Sequence, residues 1–236
     1  MKTVAVLLAS PLVLFLFSCS AVTAKHGPVK TEQRTLANYT RIHASGAIDI
    51  DFTSGSVSSA VVEAPDDLML QVVTEVNNGT LEISMSGEVN NMNQPVKIHL
   101  TGSTLEAAEV SGACSLNMKS PLNGNGFRLA LSGAANFRGT VYLKELNVNL
   151  EGASFAEIGG MTNEFKAQTS GASTLNGDKL STVKATVRSS GASNATLRAD
   201  SVLDAKASGA SNISYTGNPP QLVKEIHGAS GISRGK

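Results

Sequence analysis

One tripeptide, Ser-Gly-Ala or a close variant, recurs through the C-terminal half of the sequence at nearly constant spacing. From Gly112 onward, its glycines are separated by 21, 19, 19, 20, 18 and 19 residues, and an outlying copy is centred on Gly46. The repeat glycines are Gly46, Gly112, Gly133, Gly152, Gly171, Gly191, Gly209 and Gly228. A fixed period of this length is typical of a repeat protein in which each repeat forms one supersecondary unit.

The segments before the glycines alternate between apolar and polar residues, which is the period of a β-strand. Two successive apolar runs are Phe127, Leu129, Leu131 and Leu146, Val148, Leu150. The recurring glycine then predicts a bend that needs either a positive φ or the close approach of a neighbouring backbone. The alanine that follows every repeat glycine is predicted to form an inward ladder of small side chains, so Ala172→Leu is expected to overpack the interior.

A repeat of about 19 residues accommodates three short strands joined by turns, and it lacks both leucine-rich-repeat and helical spacing. Stacked coils of this kind form a parallel β-helix in which each coil pairs with the next at about 4.8 Å. The sequence therefore predicts an all-β fold, a parallel β-helix. The alternative is an antiparallel sandwich with unrelated Ser-Gly-Ala turns, although sandwich strands rarely keep one tripeptide in register.

The repeated Ser-Gly-Ala-Ser segments, preceded by residues 42–47 and 76–83, resemble the head GIN domain family of adhesin-like proteins, which is frequent in Bacteroidota. The resemblance covers residues 36–233. It implies a right-handed parallel β-helix and an exported protein. It transfers no catalytic residues, because the family has no established biochemical activity.

The first 18 residues are predicted to be a signal peptide, since Lys2 precedes an apolar run that is too short to span a membrane. Cys19 follows directly and resembles the lipidated cysteine of a lipobox, although Phe17 departs from the usual residue there. Lipid on Cys19 would place the protein at the outer membrane, with residues 19–35 as a tether. Cleavage after Ala24 is the alternative, and it would release the protein to the periplasm or the medium.

The remaining chain divides into two sections that together form one domain over residues 36–233. Residues 36–104 are predicted to be a less regular β-rich cap with the first coils, and Asn77-Asn78-Gly79 indicates a hairpin within it. Residues 105–236 are the repeat body of the β-helix. Asn218-Pro219-Pro220 interrupts the body, so the last coil is expected to be displaced or to act as a C-terminal cap.

Composition excludes several classes of function. The chain has 19 basic and 19 acidic residues and no basic run, which argues against nucleic-acid binding. The four histidines show no metal-ligand spacing, and no cofactor motif is present. Cys114 occupies a position that is serine in most other repeats, so it is predicted to be a small filler without a disulfide partner. Asp200-Ser201-Val202 matches a short Bacteroidota O-glycosylation pattern, which makes Ser201 a candidate modification site.

One column of the repeat raises the question of catalysis. Glu145 and Glu164 each lie seven residues before a repeat glycine, and Lys184 continues the column. Sugar hydrolysis needs convergent carboxylates, but such a column is more often a solvated charge ladder. We therefore expect a non-catalytic, adhesin-like or structural protein. A polysaccharide lyase or hydrolase is the alternative, although no tryptophan and only three tyrosines are available for sugar stacking.

The expected partners follow from this architecture. The membrane is one, through the lipid on Cys19. The flat sides, rich in serine, threonine and asparagine, are expected to bind a surface glycan or a protein. Weak self-association through the sides or ends of the rod is also expected, because the last coil of a solenoid leaves backbone groups unpaired.

Overall fold

The computed structural model describes residues 27–87 and 95–235, whose strands form one winding sheet of 17 strands. The strands are β1 Val29–Thr35, β2 Arg41–Ala44, β3 Ile48–Ser54, β4 Ser59–Pro65, β5 Val72–Asn77, β6 Thr80–Met85, β7 Val96–Gly102, β8 Ala107–Val110, β9 Ser115–Met118, β10 Leu122–Leu131, β11 Asn136–Leu150, β12 Phe155–Thr169, β13 Thr174–Ser189, β14 Asn194–Ala207, β15 Asn212–Thr216, β16 Gln221–Ile226 and β17 Gly231–Arg234. A short helix, α1 (Asp66–Met69), follows β4. This β-solenoid confirms the fold class predicted from the repeats.

Successive coils of the body pair in parallel, with each residue beside its counterpart one repeat later. Leu131 is aligned with Leu150, Leu150 with Thr169, and Thr169 with Ser189. Inward side chains therefore stack into columns along the axis, and the buried apolar ones form a continuous core. Backbone hydrogen bonds between coils satisfy the polar groups of the buried strands.

Each repeat glycine lies at a corner of the coil. From Gly112 to Gly228, the φ angles of the seven repeat glycines are between 71° and 74°, a conformation that favours glycine. A β-carbon added to Gly171 would also lie 2.6 Å from the carbonyl oxygen of Gly152. That oxygen accepts a 2.7 Å hydrogen bond from the N–H of Ala172. The corner thus needs glycine for both reasons that the sequence indicated, its left-handed conformation and the close backbone below it.

The prediction that the alanines form an inward ladder is wrong. Ala172 and its counterparts in the body are exposed, whereas the residue two positions after each body glycine from Gly112 to Gly209 is buried. That buried column consists of Cys114, Ala135, Ser154, Ser173, Ser193 and Ser211. Inward positions lie two residues before and two or four residues after the glycine. An alanine one residue after it therefore faces outward, because strand alternation keeps odd and even positions on opposite sides.

A matched pair of substitutions separates the outward alanine from an inward one. Ala185 is fully buried between Phe165 and Leu203 of the adjoining coils. Ala185→Leu is expected to overpack the tube and lower the free energy of unfolding by about 1–3 kcal/mol. Ala172→Leu adds the same atoms in solvent and should change that free energy by no more than about 0.5 kcal/mol. Urea denaturation of both variants tests this, and equal losses would contradict the assignment.

Each coil of the body has three straight segments, although its strand is continuous. In β12, the alternation of buried side chains is interrupted at residues 159–160 and again at 163–164. The three predicted strands per coil are therefore one strand of 14 to 16 residues that is bent twice. Register shifts interrupt the ladder near the bends in the β12–β13 and β13–β14 pairings. We call the outward surface of the last segment the leading face. It is defined by the residues three and five positions before each repeat glycine.

The N-terminal section combines coils with antiparallel strands. The coil formed by β2 and β3 lies between two others, one made of β6 and β7 and one made of β8 and β9. Three antiparallel strands add to that end of the stack: β4 pairs with β7, β1 with β4, and β5 with β6. The β5–β6 connection has φ angles of 50° at Asn78 and 75° at Gly79, which confirms the predicted Asn-Gly hairpin.

The C-terminal coil remains in line with the others, so its expected displacement by the proline pair does not occur. Strand β16 pairs with β14 in register, and Gly228 stacks on Gly209. No described coil covers this one, and the inward residues Leu222 and Ile226 are 41% and 48% exposed. The ammonium of Lys224 lies 4.7 Å from the centre of the Tyr215 ring, across this end of the tube.

Candidate functional site

The leading face carries a shallow, open depression of about 740 Å³ that spans four coils. Its polar lining consists of Arg128, Glu145, Asn147, Asn149, Lys166, Gln168, Thr186 and Arg188. Strand pairing arranges the outward side chains in two straight rows, Arg128–Asn147–Lys166–Thr186 and Ala130–Asn149–Gln168–Arg188. Neighbouring members of a row are separated by the coil spacing of about 4.8 Å. The face therefore offers polar groups at regular intervals along the axis.

Lys166 forms an ion-paired centre in this depression. Its Nζ lies 3.0 Å from Oε1 of Glu145 and 3.8 Å from Oε2 of Glu164. The Asn147 amide also donates a 3.3 Å hydrogen bond to Glu145. The hydrogen bonds from Lys166 and Asn147 hold the pKa of Glu145 below its ordinary range, and the same pair raises the pKa of Lys166. Both groups are therefore charged at neutral pH.

Other side chains of the depression have hydrogen-bond donors and acceptors that no described residue engages. Arg128, Gln168, Thr186 and Arg188 form no side-chain hydrogen bond or ion pair with any residue that the structure describes. Two other arginines of the body differ: Arg138 lies 3.7 Å from Glu157, and Arg198 lies 3.1 Å from Asp200. These four side chains of the depression therefore keep donors and acceptors that a ligand can use.

The column that raised the question of catalysis is assembled as the spacing predicted. Glu145 is aligned with Glu164, and Glu164 with Lys184. Both carboxylates are about half exposed, and Lys166 pairs with both of them. A general acid in sugar hydrolysis needs a raised pKa, whereas the pKa of Glu145 is lowered. The arrangement is that of a solvated charge cluster.

A second charged cluster, which the sequence analysis did not find, lies near the N-terminal end. The ring nitrogens of His99 lie 3.3 Å from Glu63 and 3.6 Å from Asp51, and Lys119 lies 3.1 Å from Asp51. The antiparallel β4–β7 pairing places His99 opposite Val61 and diagonal to Glu63, and no repeat spacing indicates it. In the described parts of the chain, no group of three or more His, Cys, Asp or Glu side chains is arranged to hold a metal ion.

The remaining candidate residues have separate locations. Cys114 is buried and forms no disulfide, and burial is the main reason that the pKa of its thiol is raised, as expected for an unreactive filler. Ser201 lies with Asp200 in a bulge where these two residues oppose Val183, and it is half-buried. O-glycosylation of Ser201 stays a prediction. Cys19 lies outside the described residues.

Comparison with known families decides the classification. The family model described as "Putative auto-transporter adhesin, head GIN domain" matches residues 38–219. The chain belongs to this family. No curated protein matched the sequence. Among the residues that the structure describes, no helix has the length and apolar character needed to cross a membrane.

Solved structures of similar fold come from Bacteroides and Parabacteroides species. A "putative adhesin" from Bacteroides fragilis has a TM-score of 0.83 at 20% identity, covering 88% of this chain and 97% of that one. A "putative adhesin" from Parabacteroides distasonis has a TM-score of 0.71 at 21% identity, covering 89% and 98%. A "putative lipid binding protein" from the same species has a TM-score of 0.69 at 20% identity, covering 89% and 98%. At these identities the likeness establishes the solenoid fold.

Proposed function

We propose that this head GIN domain protein is an exported, non-catalytic binding protein of the cell envelope that holds an extended glycan on its leading face. The observation that carries the proposal is the pair of straight rows, in which Gln168, Thr186 and Arg188 form no side-chain hydrogen bond or ion pair with a described residue. Amides, hydroxyls and guanidinium groups are the donors and acceptors that sugar hydroxyls need. Family membership and the adhesin-like structures support a role in surface binding.

Two other activities fit the face less well. Lipid binding, the role given for one similar protein, would need an apolar site. Here the inward columns fill the tube with packed side chains, and every outward residue of the two rows in the depression except Ala130 is polar. Polysaccharide hydrolysis would need a protonated acid, and the lowered pKa of Glu145 opposes this. The wild type and the double variant Glu145→Gln, Glu164→Gln are therefore both expected to leave any glycan intact, and cleavage by the wild type that the variant lacks would contradict this.

The binding proposal is tested with the purified full chain in detergent and immobilised linear glycans, both neutral xylan and carboxylated polygalacturonate. Asn149→Ala with Gln168→Ala removes two outward amides on adjacent coils of the leading face. This double variant should weaken glycan binding by about tenfold, which corresponds to roughly 1.4 kcal/mol. Asn194→Ala with Asn212→Ala removes two exposed amides on adjacent coils of another face and should have no effect. Equal binding by wild type and both variants would overturn the proposed site.

Attachment to the membrane is the second part of the proposal. Lipid on Cys19 would hold the protein at the outer membrane, with the polar residues 19–35 as a tether. Cys19→Ala should abolish palmitate labelling and either release the protein or leave an uncleaved precursor. Palmitate retained by the variant, or a mature N-terminus at Lys25 in the wild type, would favour the free periplasmic or secreted protein instead.

A further inference from the structure

The depression on the leading face is positively charged, although the whole chain has a formal charge of zero. Three cations line it, Arg128, Lys166 and Arg188, against one carboxylate, Glu145, which gives a local net charge of +2. Lys166 and Glu145 neutralise each other at 3.0 Å. The excess charge therefore belongs to the two arginines. Neither forms a side-chain hydrogen bond or an ion pair with a described residue, although Arg128 interacts at longer range with Glu145 and Arg188 with Glu225. Such a surface favours an anionic ligand.

The two arginines are separated along the axis rather than clustered. Arg128 aligns with Asn147, and two further coil steps along the sheet reach the strand that carries Arg188. Three steps of about 4.8 Å place the two positions about 14 Å apart along the axis. The intervening coils present Asn149 and Gln168 between them. A ligand that engages both arginines is therefore long and carries its charges at intervals.

From this spacing we infer that the ligand is an acidic polysaccharide lying along the axis, with anionic groups on Arg128 and Arg188 and sugar hydroxyls on the amides between them. The inference rests on the proposed function and names the class of glycan. An extended 1,4-linked polysaccharide such as polygalacturonate advances by about one coil spacing per sugar residue, so its residues keep step with the coils. A guanidinium binds carboxylate or sulfate in the same two-pronged geometry, so both kinds of acidic sugar fit.

Four probes test the inference with the full chain in detergent at low ionic strength: polygalacturonate, dextran sulfate, neutral xylan and poly-glutamate. Wild type should bind at least one acidic glycan about tenfold more tightly than xylan, and added salt should remove the difference. Preference for polygalacturonate or for dextran sulfate identifies carboxylate or sulfate as the anion. Equal affinity for xylan and both acidic glycans would overturn the inference and leave the proposed function intact. Poly-glutamate binding as tight as that of the acidic glycans would overturn the polysaccharide class.

Arg128→Gln with Arg188→Gln should reduce acidic-glycan binding to the level of xylan. Arg138→Gln with Arg198→Gln is the matched control, because it removes the same charge from guanidiniums that already have carboxylate partners. Equal losses in the two double variants would overturn the inference. All four substitutions are at exposed positions, so unchanged melting curves verify folding. If Asn149→Ala with Gln168→Ala also leaves every glycan unaffected, the proposed site itself fails.

Ligand length provides an independent readout of the geometry. Reaching from the Arg128 coil to the Arg188 coil takes four sugar residues, one on each coil. Oligogalacturonates of four or more residues should therefore bind more tightly than the disaccharide, and Arg188→Gln should remove most of this gain. A gain that persists in Arg188→Gln would show that the two arginines do not act on one chain.

Discussion

Gly171→Ala is expected to destabilise the solenoid by about 2–5 kcal/mol, with a fall in melting temperature of about 5–15 °C. Gly171 has a φ of 72°, where an alanine costs about 1–2 kcal/mol. The added methyl carbon would also lie 2.6 Å from the carbonyl oxygen of Gly152, and relieving that overlap costs roughly a further 1–3 kcal/mol. Urea denaturation and thermal melts followed by circular dichroism measure the loss.

Gly124→Ala is the control for this corner substitution. Gly124 lies in β10 outside the left-handed region, and an added β-carbon would meet Leu143 at 3.7 Å, an ordinary van der Waals distance. Its free energy of unfolding should therefore stay within about 0.5 kcal/mol of the wild type. If Gly171→Ala proved as mild as Gly124→Ala, the stacked corners would have room that the structure does not show.

Phe165→Ala is expected to cost about 3–5 kcal/mol because it opens a cavity in the tube. The Phe165 side chain is 1% exposed and lies between Leu146 and Ala185 in its inward column. The small Ala185 cannot extend into the vacated space. Tyr142→Ala removes an aromatic ring of similar size from a half-exposed outward position and should cost less than about 1 kcal/mol. Comparable losses in these two variants would contradict the assignment of inward and outward positions.

A double variant tests whether Phe165 and Ala185 pack as a large–small pair. Ala185→Leu alone overpacks the column. When it is combined with Phe165→Ala, the leucine side chain fills part of the volume left by the phenylalanine ring. The combined variant should therefore lose less stability than the sum of the two single variants, by about 0.5–3 kcal/mol. Strict additivity would mean that the two side chains do not share that space.

The repeat spacing predicts the solenoid because every coil pairs with its counterpart one period later. The repeat spacing therefore predicts both the positive φ of Gly171 and the close approach of its backbone to Gly152. The prediction of an inward alanine ladder was wrong because Ala172 lies one residue after Gly171. In this part of the coil, the inward side chains lie an even number of residues from the glycine. The distance of each residue from its repeat glycine would also have predicted the rows that contain Gln168 and Arg188. Outward positions repeat at the same distances from the glycine in every coil, as inward positions do.

Other features depend on contacts that no local pattern records. The chain returns beneath β2 and β3 to form β6 and β7 before the body begins, and that order depends on pairings between distant segments. The pairing of Lys166 with Glu145 joins two adjacent coils, and its geometry depends on flexible side chains. Repeat periodicity specifies where such residues lie on the solenoid. It does not specify which of them satisfy one another and which remain unpaired.

The stacking of each coil on its neighbours determines how the molecule unfolds under mechanical force. Hydrogen bonds between coils run along the axis, so tension on the C-terminal end opens them one coil at a time instead of shearing many at once. The last coil, held through β16 and β17, would detach first. Each detached coil of about 19 residues releases roughly 65 Å of extended chain. Under traction the protein would therefore lengthen in steps and dissipate work at each one, while the cap at the other end stayed folded.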